Sequence, residues 1–68
     1  MAASVKGQMV TYESPGGQTR TMFSGHAKSA YQDPDNKKLY IECKNGSKEW
    51  TEVYEIPFAS SAPKKISG

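Results

Sequence analysis

The chain has one cysteine, Cys43, and one histidine, His26. A lone cysteine excludes an internal disulfide. Two such residues also fall short of the roughly four Cys and His ligands that a structural zinc site uses. No apolar run approaches the ~20 residues of a membrane-spanning helix. The opening residues Met1-Ala2-Ala3-Ser4-Val5-Lys6 lack the apolar core of a signal peptide. A single thiol without an export signal sets the expected compartment as the reducing cytoplasm. Charge of one sign is scarce too. The net charge is +2, and Lys64 and Lys65 near the C-terminus account for all of it. The remainder is close to neutral, which argues against a strong electrostatic footprint for nucleic acid.

What the chain does have is aromatic bulk. Hydrophobic residues make up 35% of its 68 positions, but these include four Tyr, two Phe and one Trp. Such rings supply large apolar faces and argue against disorder. A domain of this length buries only ~60% of the surface its unfolded chain exposes. With no disulfide or metal to staple it, stability must come from packing or self-association.

Strand and turn signals dominate. Val5 to Glu13 is rich in Val, Thr and Tyr and reads as one strand. Ser14-Pro15-Gly16-Gly17-Gln18 reads as a hairpin loop. Pro15 suits the second position of a turn, and Gly16 the positive φ that a type II turn requires next. Gly16-Gly17-Gln18 also spells the tripeptide on the hydrolytic loop of translation release factors. Nothing around it resembles that domain, and a turn accounts for both glycines. Thr19 to Ser24 reads as the second strand. Gly25 to Gln32 is expected to continue it past a bend at Gly25; a short helix capped by Ser24 is the alternative. Asp33-Pro34-Asp35-Asn36 is a turn. Lys38 to Lys44 and Lys48 to Phe58 form the clearest hairpin, with pairing fading at Pro57. Residues 59–68 read as a flexible C-terminal tail.

The expected fold is therefore all-β: a small antiparallel meander of four or five strands, strongly bent or partly closed, an SH3-like barrel being one such form. The expected layout is a single domain over residues 1–58 followed by a disordered tail over 59–68.

The register of the last hairpin decides which residues share a face. A three-residue loop, Lys44-Asn45-Gly46, pairs Glu42 with Lys48, Tyr40 with Trp50 and Lys38 with Glu52. That gives two opposite-charge pairs and an aromatic pair, each worth roughly 0.2–1 kcal/mol. A loop one residue shorter sets Glu42 against Glu49. The favoured register puts Leu39, Ile41, Cys43, Thr51 and Val53 on the core face. It puts Tyr40, Trp50 and Tyr54 on the other, bordered by Lys38 and Lys48.

That aromatic strip is the expected partner-binding site: Tyr40, Trp50, Tyr54, Lys38 and Lys48. No catalytic residues, metal ligands or cofactor are expected. Ser24-Gly25-His26 lacks a placed carboxylate to orient the imidazole. Cys43 reads as a buried thiol, and Glu49, Glu52 and Glu55 as solvated edge charges. The expected function is a non-enzymatic module for protein–protein interaction, with a homodimer through an edge strand or the aromatic face as one form. The alternative is binding of single-stranded nucleic acid, with bases stacked on the rings and Lys38, Lys44, Lys48 and Arg20 near phosphates. The acids inside the strip favour the protein partner.

Overall fold

A computed structural model describes residues 3–58 and 62–68. It contains seven strands in two antiparallel sheets: β1 (Ser4–Lys6), β2 (Met9–Glu13) and β3 (Thr19–Phe23) in one, and β4 (Ala27–Gln32), β5 (Lys38–Asn45), β6 (Lys48–Glu55) and β7 (Lys64–Ser67) in the other. Each sheet is a meander in sequence order. The all-β, bent antiparallel design matches the sequence reading. Two features raise the strand count above the expected five.

First, Val5–Glu13 is not one strand. It folds back at Gly7-Gln8 so that Val5 pairs Val10 and Lys6 pairs Met9. Gly7 has φ +61°. The β5–β6 hairpin uses the same device: Asn45 pairs Lys48 across Gly46-Ser47, and Gly46 has φ +65°. Two-residue hairpin loops need a positive φ at their first central position, and glycine meets it without steric cost. Second, the expected tail is partly a strand. Lys64–Ser67 pairs with β6 through Tyr54–Lys65 and Glu55–Lys64. Residues 59–61 of that tail lie outside the described residues. Alternating exposure is absent from "KKIS", so sequence periodicity carried no strand signal there.

The other turns form where expected, with one change of detail. At Ser14–Gln18 the Gly17 N–H donates to the Ser14 carbonyl, and the Ser14 N–H to the Gln18 carbonyl. The positive φ falls on Gly17, at +88°, and not on Gly16, which excludes a type II turn over Pro15-Gly16. At the β4–β5 loop, Asp33 Oδ1 accepts from the Lys37 and Lys38 N–H groups at 2.8 and 3.1 Å. These bonds, chiefly that from Lys38, hold its carboxyl below the usual range. Gly25 marks the expected break, and Ala27–Gln32 is a strand, with a register shift between Ala27 and Ser29.

The core is small: Val10, Tyr12, Leu39, Ile41, Cys43 and Ile56 are buried. Met22, Ala27, Ala30, Trp50 and Tyr54 pack around them. The two sheets meet at a polar seam. Gln32, itself buried, accepts from the Glu13 N–H through Oε1 (2.9 Å) and donates to the Glu13 carbonyl through Nε2 (2.7 Å). One side-chain amide thus satisfies both backbone groups of a residue on the other sheet, in place of a neighbouring strand.

Candidate interaction surfaces

The β5–β6 register is the largest departure from the sequence reading. The pairs are Leu39–Tyr54, Tyr40–Val53, Ile41–Glu52, Glu42–Thr51, Cys43–Trp50 and Lys44–Glu49. Neither loop considered from the sequence, Lys44-Asn45-Gly46 or Asn45-Gly46, produces this set, because the loop is Gly46-Ser47. It places Trp50 and Tyr54 on the same side as Leu39, Ile41 and Cys43, toward the core. Tyr40 lies on the opposite side, directly across from Val53 and, on the other flank, Tyr31. The expected strip of Tyr40, Trp50 and Tyr54 is therefore split between the two faces. Lys38 stays beside Tyr40 but pairs with Glu55, and Lys48 closes the hairpin opposite Asn45. The physical reason is burial. A cross-strand pair is worth roughly 0.2–1 kcal/mol. Covering a large side chain is worth more, on the order of 1.5–3 kcal/mol. A one-residue slip moves every such side chain to the other face. Ile56, in phase with Trp50 and Tyr54, goes into the core with them, while Phe58 remains exposed.

On the inner face a carboxylate organises the aromatics. Glu52, expected as a solvated charge, has a side chain only 14% exposed. Its Oε2 accepts from Trp50 Nε1 at 2.9 Å and its Oε1 from the Tyr54 hydroxyl at 2.9 Å. Lys65 Nζ of β7 lies 3.6 Å from Oε2. Burial works to raise the Glu52 pKa, but the Trp50 and Tyr54 hydrogen bonds and Lys65 outweigh it, and the net shift is downward. The same environment pushes the Tyr54 phenol up to about 12, through burial first and then its bond to the carboxylate. Cys43 next to this cluster is buried, and burial followed by the Glu52 charge raises its pKa. This is a protonated, enclosed thiol, opposite to the depressed pKa of a nucleophilic cysteine. His26 is exposed in the β3–β4 turn, with its ring edge against Trp50 at 5.8 Å. Among the described residues, no group of three or more His, Cys, Asp or Glu side chains is placed to hold a metal ion. No helix among them is long and apolar enough to cross a membrane.

Three surfaces remain open to a partner. On the outer face of the four-stranded sheet, Tyr31 and Tyr40 stack at 5.0 Å and 10°. Lysines near this face are matched by acids: Lys38 pairs Glu55 in register, and Lys28 lies 3.7 Å from Glu49. Beside the β2–β3 loop, Pro15, Ile56, Pro57, Phe58 and Ala62 line an apolar groove of about 500 Å³. The third surface is β3 itself, from which the sequence reading used only Arg20, as a phosphate contact in the nucleic-acid alternative.

The β3 edge follows from the ladder. The Ser24 N–H donates to the Gln8 carbonyl, and the Ser14 N–H to the Gln18 carbonyl. Both lie in register with the β2–β3 pairs Tyr12–Arg20 and Val10–Met22. In an antiparallel pair, bonded and non-bonded positions alternate. Arg20 and Met22 thus bond to β2, and Thr19, Thr21 and Phe23 direct their N–H and C=O groups away from it. No backbone bond among the described residues reaches these outward groups. On the outer face, Phe23 is 64% exposed and pairs with Met9, 42% exposed. A groove of about 580 Å³ runs beside the strand, lined by Tyr12, Arg20, Met22, Phe23, Ala62 and Pro63.

The other sheet edges are protected in the ways natural proteins use. Strand β1 has three residues and β4 is bulged, and the two pack against each other. β7 carries Lys64 and Lys65. β3 has no Lys, Pro or bulge over five consecutive pairs. Comparison with protein-family models, characterised proteins and solved structures returns no match.

Proposed function

We propose that this protein is a non-enzymatic protein-interaction module that binds by strand addition along β3. The carrying observation is an edge without a backbone partner among the described residues: Thr19, Thr21 and Phe23 present outward backbone groups beside the exposed Phe23–Met9 pair. In β-augmentation, the main-chain bonds of such an edge supply affinity, and side-chain contacts on alternate residues supply specificity. Exposed apolar side chains next to the edge add burial to those bonds. The lone, buried, protonated Cys43 suits a reducing compartment, and the cytoplasm is part of this reading. Single-stranded nucleic acid is the weaker reading. The Tyr31–Tyr40 stack offers one aromatic platform, but Glu55, Glu49 and Glu52 offset Lys38, Lys28 and Lys65.

The test is selection of random peptides displayed on phage, run in parallel on the wild type and on Thr21→Lys. Enrichment of β-prone, alternately apolar peptides on the wild type alone is the expected result. Peptides recovered equally on both proteins, or no enrichment on a protein that is monomeric at the concentration used, would remove β3 as the binding site.

A further inference from the structure

The β3 edge is complementary to itself. Only Thr19, Thr21 and Phe23 have outward-facing backbone groups, so an incoming antiparallel strand must pair its own outward-facing residues with these three. A second β3 centred on Thr21 does this along its full length. Thr21 meets Thr21 of the second copy, and Thr19 meets Phe23 at both ends. All three outward positions are then bonded on each chain, whereas sliding the register by two residues leaves one unpaired.

The side chains agree with that arrangement. Threonine opposite threonine is a favourable cross-strand pair. The strand's one charge, Arg20, falls opposite Met22 of the second copy and not opposite its own image. No like charges face each other. Phe23, paired with Met9 within its own sheet, gains Thr19 of the second copy on its other flank. A two-fold interface of this kind uses the same patch on both subunits and closes after two copies, so it does not propagate into a fibre.

From this we infer that the partner added along β3 is a second copy of this chain, forming a symmetric dimer in which two three-stranded sheets join through Thr19–Phe23 about Thr21. The inference rests on strand addition at β3 and names the occupant. It also addresses the lack of staples in a chain of 68 residues, since self-association is one of the few devices left to a domain this small.

Sedimentation equilibrium of the full chain, from about 10 μM to about 1 mM, spans the range in which a single-strand interface is expected to associate. The expected species is twice the 7.5 kDa monomer mass. In Thr21→Lys, two lysines oppose each other at the axis, and the dissociation constant should rise at least about tenfold, or 1.4 kcal/mol. Ile66→Lys, on the β7 edge, should leave it unchanged. Amide hydrogen exchange on the wild type reads the interface without any substitution. Protection of the Thr19, Thr21 and Phe23 amides should grow with protein concentration, while that of Arg20 and Met22 stays constant. A monomer across the whole range, a dimer insensitive to Thr21→Lys, or a dimer with those three amides unprotected overturns the inference. A monomer that still selects strand-forming peptides overturns the self-pairing alone and leaves strand addition standing.

Discussion

On the β7 side of the molecule the sheet ends in lysines; on the β3 side it ends in threonines, a methionine and a phenylalanine. The two edges are also held differently. β7 is tied to β6 by main-chain pairing and by the Lys65–Glu52 contact, which extends the Trp50–Glu52–Tyr54 network. β3 is held by its ladder to β2 and by Met22 packed on the core. One edge directs its charges to a neighbouring strand and repels further pairing. The other carries one charge, Arg20, and turns Phe23 outward while Met22 packs on the core. A lysine edge is a device against association and a threonine–phenylalanine edge lacks it, so under the proposed function β7 is the structural end of the molecule and β3 the adhesive one.

Substitutions can break or sharpen that contrast. The largest effect should come from the core that both sides share. Ile41→Ala removes a fully buried side chain and should cost about 2–5 kcal/mol in urea unfolding, destabilising both sheets together. Biphasic unfolding would show that the sheets do not share a core.

Next come the two polar ties. Gln32→Ala leaves the Glu13 N–H and C=O without their side-chain partner, at a cost of roughly 1–3 kcal/mol. Its amide-exchange signature should appear at Glu13, on the seam between the sheets. Glu52→Gln should have a similar cost at neutral pH, roughly 1–3 kcal/mol, and should loosen β7 while sparing β3.

Glu52 also predicts the pH dependence. Its folded-state pKa is depressed, so its contribution is complete above the unfolded carboxyl range and fades as pH falls through the folded value. Wild-type stability should therefore drop more steeply in acid than that of Glu52→Gln. Tyr54 behaves oppositely. Its pKa is raised to about 12, so the stability linked to it is full below the ordinary phenol range and is lost as pH climbs toward that value. Absorbance titration of tyrosinate should show its latest transition moving to lower pH in Glu52→Gln.

The smallest effect on folding should be at the adhesive edge. Phe23→Ser removes an exposed ring and should change stability by no more than about 0.5 kcal/mol. Association should nonetheless weaken. A large loss of stability there would mean that Phe23 supports the fold and not a partner.

Much of the frame was legible in the residues. Pro15-Gly16-Gly17, Asp33-Pro34-Asp35-Asn36 and Asn45-Gly46 all mark turns, and Leu39, Ile41 and Cys43 are core. The Gly7 turn was missed because Val, Thr and Tyr on both sides of it read as one continuous strand. A Gly-X pair between two β-rich runs is the signal that would have found it. β7 was missed because a strand with every residue exposed has no periodicity to read. The expected β5–β6 register did not form, because it was chosen on cross-strand pairs, and the shared parity of Ile56 and Trp50, visible in the sequence, weighed less than it should have.

The residues alone determined that this chain is β-structured, where most of its turns fall, and that no internal disulfide staples it. These are local properties, set by backbone freedom at Gly and Pro, β-branched and aromatic side chains, and the count of cysteines. Tertiary structure decided which way Trp50 and Tyr40 face, that Glu52 is an internal anchor, and that β3 ends its sheet with no backbone partner among the described residues. Each depends on what lies across a sheet or at the end of one. Burial of a whole face outweighs the tenths of a kcal/mol by which neighbouring registers differ, and only the assembled sheets reveal which face that is.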